Sequence, residues 1–149
     1  MNEGFDVEGF RFWVSSVDGF RTIEGRYPPR IDVSRLSTVI TCYYDLWDGD
    51  VPTITITDVS PLESFSVQVR AVLKSVIQRT VCQESFVASA WIYGDNVAVG
   101  RDVVALLREI GREGSSVFAT REEAVAYVRE QIEQWKARPS PDRPAWGDD

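Results

Sequence analysis

The sequence predicts an α/β fold, a mostly parallel sheet opened by an N-terminal β-hairpin. Three observations carry that expectation. Strand-period and helix-period segments alternate along most of the 149 residues. Asp18-Gly19 separates two alternating segments near the N-terminus, a two-residue turn signal because both residues tolerate positive φ. Thereafter strands and helices take turns, which implies mostly parallel strands joined by right-handed crossovers. About five strands and four helices follow from this reading, with the helices mainly on one face.

In chain order, residues 10–16 and 20–26 form the hairpin. Centring its turn on Asp18-Gly19 pairs Val14 with Ile23 and Trp13 with Glu24. Phe10, Phe12, Val14 and Ile23 then share the core face, and Trp13, Ser15, Thr22 and Glu24 the other. Tyr27-Pro28-Pro29-Arg30 stops the strand, since proline offers no ladder donor. Asp32 or Ser34 can cap the next helix, whose stripe is Leu36, Val39, Ile40, Tyr43, Leu46 and Trp47, with Gly49 as its stop.

Residues 53–57 alternate threonine and isoleucine, the period of a strand with one buried face. A helix with the stripe Phe65, Val69, Val72, Leu73, Val76 and Ile77 follows. Ser64 is its expected cap and Phe65 its start, with a capping box at Ser60-Pro61-Leu62-Glu63 as the alternative. Residues 86–93 read as a strand, and Gly94-Asp95-Asn96 leads into a helix carrying Val99, Val103, Leu106, Leu107 and Ile110. A short strand at Ser116, Val117 and Phe118 precedes a second capping box, Thr120-Arg121-Glu122-Glu123, and a last helix. One domain spans 1–137, and a proline-rich, flexible tail is expected over 138–149.

The hydrophobic fraction of 44% and charged fraction of 26% suit a globular protein. A net charge of -7 argues against sequence-independent binding to nucleic acid or an anionic membrane. No apolar run approaches the ~20 residues of a membrane span, and the acidic N-terminus lacks a signal core. A cytoplasmic location is expected, with Cys42 and Cys82 as reduced thiols. The absence of histidine removes Ser-His-Asp and Cys-His catalysis and most zinc sites. No catalytic residue, metal ligand or cofactor motif is expected. Asp45, Asp48 and Asp50 lack the ligand spacing of a calcium loop. Gly94-Asp95-Asn96 has no glycine-rich phosphate signature. Glu122 and Glu123 project about 100° apart on a helix and suit its N-terminal dipole rather than acid–base work.

Parallel strands covered on both faces usually read as unbroken apolar runs. The alternation here instead suggests an open face collecting Trp13, Thr53, Thr55, Thr57, Ser89, Trp91 and Tyr93, with Thr22 and Glu24. That is the candidate interaction face, for a homodimer or for a small apolar ligand beneath a lid.

Several segments carry a family resemblance: Ile23-Glu24-Gly25, Thr57-Asp58-Val59-Ser60, Ala90-Trp91-Ile92-Tyr93-Gly94, and Val117-Phe118-Ala119-Thr120-Arg121-Glu122-Glu123-Ala124 continuing to Val128. Over residues 10 to 135 the chain resembles the STAS superfamily of sulfate-transporter and anti-sigma-factor-antagonist domains. It is most similar to the diverged bacterial stage-II-sporulation antagonist-like branch, related in fold to lipid-binding CRAL-TRIO domains. The resemblance implies a (βα)n superhelix, with about five strands in sequential order and an antiparallel first strand at one edge. It also implies a non-enzymatic regulatory domain with a regulatory protein partner, and, through the CRAL-TRIO relation, a lipid or small apolar ligand. In anti-sigma antagonists a phosphorylatable serine lies in an Asp-Ser-Ser-Gly-like turn. Here the turn reads Glu63-Ser64-Phe65-Ser66-Val67, which makes Ser64 and Ser66 the nearest candidates for a phospho-switch.

Overall fold

Asp18 and Gly19 adopt φ of 51° and 82° and close a tight hairpin between β2 (Phe10–Val17) and β3 (Phe20–Arg26). Val14 lies opposite Ile23 and Trp13 opposite Glu24, the register set by the turn. A second turn of the same kind, at Glu8 and Gly9 with φ of 54° and 82°, adds β1 (Gly4–Val7) antiparallel to β2. β1 is too short to show a period in the sequence, so among the described residues the sheet has six strands rather than about five. The computed structural model describes residues 3–112, 114 and 116–138. Beyond Arg138, the expected tail falls outside the described residues.

β4 (Thr53–Asp58), β5 (Phe86–Ile92) and β6 (Val117–Phe118) extend the sheet in parallel, so strand order follows chain order from β1 to β6. The helices are α1 (Leu36–Asp45), α2 (Val67–Val81), α3 (Val97–Glu109) and α4 (Arg121–Ala137). Asp32 caps the short 3-10 turn Val33–Arg35 that leads into α1. α1 ends at Asp45, before the expected stop at Gly49. α2 starts later than expected: Ser66, not Ser64, accepts the hydrogen bond from the Val69 N–H at 3.1 Å. α4 opens on the expected capping box, the Glu123 N–H donating to Thr120 Oγ1 and the Thr120 N–H to Glu123 Oε1, both at 3.2 Å.

Three helices cover one face and α4 the other. The parallel register puts Ile23 beside Thr55, and Gly25 beside Thr57, which in turn neighbours Trp91. The threonines therefore share the face of Phe10, Phe12 and Ile23. Leu36 and Val39 of α1, Val69, Leu73 and Ile77 of α2, and Val99, Val103, Leu106 and Leu107 of α3 close over that face. On the reverse, Ile54, Ile56, Ala90 and Ile92 pack against Ala124, Val128 and Ile132 of α4.

The expected open threonine face is thus corrected. Alternation reports two faces with different covers, and threonine is stable inside when its hydroxyl finds a partner. Thr53 Oγ1 donates to Val51 O and Thr55 Oγ1 to Ser89 Oγ, each at 2.8 Å. Gly25 lets the Phe12 ring lie flat on the sheet, since a Cβ there would fall 2.3 Å from Phe12 Cε1.

Candidate functional site

Of the residues expected on one interaction face, Thr53, Thr55, Thr57 and Trp91 are buried beneath the helices, and Ser89 is half-buried beside them. Tyr93 is half-buried against Gly100 of α3. Trp13 is not brought to them. It pairs with Glu24 and Glu24 with Ile56, which places it on the α4 side of the sheet, where it is 37% exposed with the Arg11 guanidinium 5.7 Å from its ring centre. Below it lies a buried carboxylate. Glu24, 5% exposed, accepts from Arg121 Nε at 3.1 Å, Arg121 Nη2 at 3.0 Å and Ser15 Oγ at 2.6 Å.

The helix-covered face holds a cavity of about 60 Å³ between the sheet and the α1–α2 pair. Phe12, Thr57 and Trp91 form part of its floor, and Tyr43, Leu73 and Val76 part of its roof. The Tyr43 and Thr80 hydroxyls meet at 3.2 Å, and Tyr44 Oη donates to Val76 O at 3.3 Å, so two tyrosines tie α1 to α2. Burial pushes the Tyr43 phenol up to about 12, against the opposing hydrogen bond with Thr80. Burial likewise raises Tyr27, which packs edge-on to Trp91 with ring centres 6.4 Å apart. The indole N–H of Trp91 is buried without a hydrogen-bond partner. Sequence reasoning placed Tyr43 on the core stripe but gave no sign of a cavity, because a void depends on how side chains from three segments meet.

The second region is the rim at the carboxyl ends of β4 and β5, the edge at which open α/β sheets place their ligands. Asp58 turns the chain by accepting from the Ser60 N–H at 2.9 Å, and Arg26 approaches its other oxygen at 3.5 Å. Asn96, the cap of α3, donates from Nδ2 to Ser60 O at 3.1 Å and Leu62 O at 2.7 Å, locking the β4–α2 connection to the start of α3. On this braced rim Val67, the first residue of α2, is 82% exposed and Val97, the first of α3, is 50% exposed. Ser64 and Ser66 are both exposed. They line a groove of about 350 Å³ with Arg30, whose Nε donates to Glu63 Oε2 at 3.0 Å. Val67 and Val97 had no signal in the sequence beyond their place after the caps. Among the described residues no group of carboxylates and cysteines is placed to hold a metal ion, and no helix is long and apolar enough to cross a membrane.

No protein-family model and no curated protein matches the sequence. A solved structure does match: an anti-sigma-factor antagonist (STAS) domain protein from Planctomyces limnophilus, 16% identical, with a TM-score of 0.54 over 79% of this chain and 97% of that one. The chain has the STAS fold. Its sequential sheet, N-terminal hairpin and four helices are those of a STAS domain, and the resemblance read from Thr57-Asp58-Val59-Ser60 and the Thr120 capping box agrees with it. At this identity the likeness speaks of fold alone.

Proposed function

We propose that the chain is a non-enzymatic regulatory domain that docks on a partner protein through the rim formed by the N-termini of α2 and α3. The observation that carries this reading is the exposure of Val67 and Val97 at the starts of α2 and α3, next to the Asn96 bonds to Ser60 O and Leu62 O. Exposed apolar side chains on a braced surface give an interface its buried centre at little ordering cost. Ser64 and Ser66 lie just before Val67 in the chain and are exposed. Phosphate on either would add about two negative charges beside Arg30 at the start of α2, where the helix dipole favours them. The test is affinity capture from the source organism with wild type and a Val67→Asp/Val97→Asp variant as baits. A protein retained only by wild type supports the reading; identical captured sets refute it.

Self-association belongs to the same proposal, moved to the half-exposed Trp13 because the threonine face is covered. Sedimentation should show a dimer that Trp13→Glu dissociates; a monomer at about ten micromolar, a working range for a standard interface, would rule it out.

Carriage of a ligand is a second reading, favoured by the cavity beneath α1 and α2. At about 60 Å³ it is far below the roughly 300 Å³ of ordinary ligand pockets, which disfavours a bulky lipid.

A further inference from the structure

We propose that the cavity between the sheet and the α1–α2 pair binds a small uncharged apolar molecule carrying one hydrogen-bond acceptor, which takes the indole N–H of Trp91. The inference rests on the ligand reading and is independent of the docking rim.

Trp91 lines the cavity, is 6% exposed, and has a buried N–H without a partner. Buried indole N–H groups ordinarily find an acceptor. Two of the lining hydroxyl pairs are engaged with each other: Thr55 with Ser89, and Tyr43 with Thr80. The remaining wall is largely aromatic and aliphatic, from Phe12, Leu73 and Val76 among others. No charged side chain lines the cavity among the described residues. A carboxylate or phosphate would therefore be buried without a counter-charge, which the interior disfavours strongly. A neutral molecule with a carbonyl or ether oxygen meets both conditions.

Size sets the second requirement. About 60 Å³ holds only a few waters, and benzene needs a cavity nearer 150 Å³. A ring must part α1 from α2. The polar ties across that mouth are the two tyrosine hydroxyl contacts at 3.2 and 3.3 Å, long for O–H···O bonds, and the Arg79 guanidinium 4.2 Å from the Tyr44 ring centre. Ile40, Val72, Val76 and Val81, which line the cavity, are only half-buried. Parting these side-chain contacts would widen the mouth without unpairing a strand.

The test follows the indole resonance of Trp91, assigned by its loss in Trp91→Phe, while the labelled protein is titrated with three probes. These are cyclohexanone, methylcyclohexane and cyclohexanecarboxylate. Cyclohexanone should shift that resonance and bind roughly fivefold more tightly than methylcyclohexane, the ratio one neutral hydrogen bond supplies. The carboxylate should not bind. Trp91→Phe should abolish the preference for the ketone, Leu73→Ala should tighten binding by enlarging the cavity, and Val76→Phe should prevent it. The proposal is overturned if the ketone leaves the indole unmoved in both wild type and Leu73→Ala. It is also overturned if the carboxylate binds as well as the ketone, or if the ketone preference survives in Trp91→Phe. Should Trp91→Phe fail to fold, loss of the indole shift in folded Val76→Phe decides; a shift that persists there counts against the site.

Discussion

Replacing Arg121 with alanine should loosen α4 from the sheet, by an amount that the surroundings of Glu24 set. The Glu24 carboxylate is 5% exposed and has three donors, two of them on the Arg121 guanidinium. Removing one partner of a fully buried ion pair costs about 3–5 kcal/mol, because the remaining charge is stranded. Two features reduce that figure here. Ser15 still donates at 2.6 Å, and the Arg121 side chain is 55% exposed, so water can enter where the guanidinium lay. About 2 kcal/mol is expected for Arg121→Ala. Glu24→Gln, which removes the charge and keeps the shape, should cost about 1 kcal/mol, the worth of a typical hydrogen bond. The double variant should cost less than the sum, since no charge is left to strand. Urea unfolding of the four proteins measures all three values. A cost below about 0.5 kcal/mol for Arg121→Ala, within the range of ordinary surface substitutions, would refute the claim that this pair fastens α4.

Gly25→Ala should destabilise by about 1–3 kcal/mol through overpacking, since its Cβ would meet the Phe12 ring at 2.3 Å; Phe12→Leu in the same chain should recover part of the loss in thermal unfolding. Ser66→Ala should cost about 1 kcal/mol and Ser64→Ala almost nothing, because only Ser66 caps α2; equal urea midpoints for the two would contradict the cap assignment. Tyr43 and Tyr27 titrate higher folded than unfolded, so their stabilising effect is complete below about pH 10, the unfolded tyrosine value. It declines as pH rises from there through the Tyr43 value of about 12. Urea midpoints at pH 8 and pH 11 should therefore differ less in Tyr43→Phe than in wild type.

Local chemistry made much of the fold legible. Asp18-Gly19 fixed the β2–β3 register to the residue, because a two-residue turn with two positive φ angles leaves no choice of pairing. Thr120 and Glu123 fixed the start of α4 in the same way. The long-range pairing was not legible. Whether Thr55 lies on the face of Ile23 or of Glu24 depends on the β3–β4 register across a crossover of 26 residues, residues 27–52, and a shift of one residue exchanges the faces. Choosing the wrong face put Trp13 beside Thr55 and Trp91, and made a buried floor look like an open platform. β1 escaped notice because four residues at an edge carry no usable period. At the rim Thr57-Asp58-Val59-Ser60 and Gly94-Asp95-Asn96 were legible as a strand end and a lead into a helix, but the Asn96 cap was not named, and exposure at Val67 and Val97 is a tertiary property with no counterpart in a helical stripe.

The most direct test of rim docking places a photocrosslinking amino acid at Val67 in cells of the source organism, with the same group at Glu130, an exposed position on α4, as reference. A discrete protein adduct at position 67, absent at 130 and lost when Val97→Asp is added, is the expected result. Adducts at 67 no more abundant or selective than those at 130 would contradict docking through this rim.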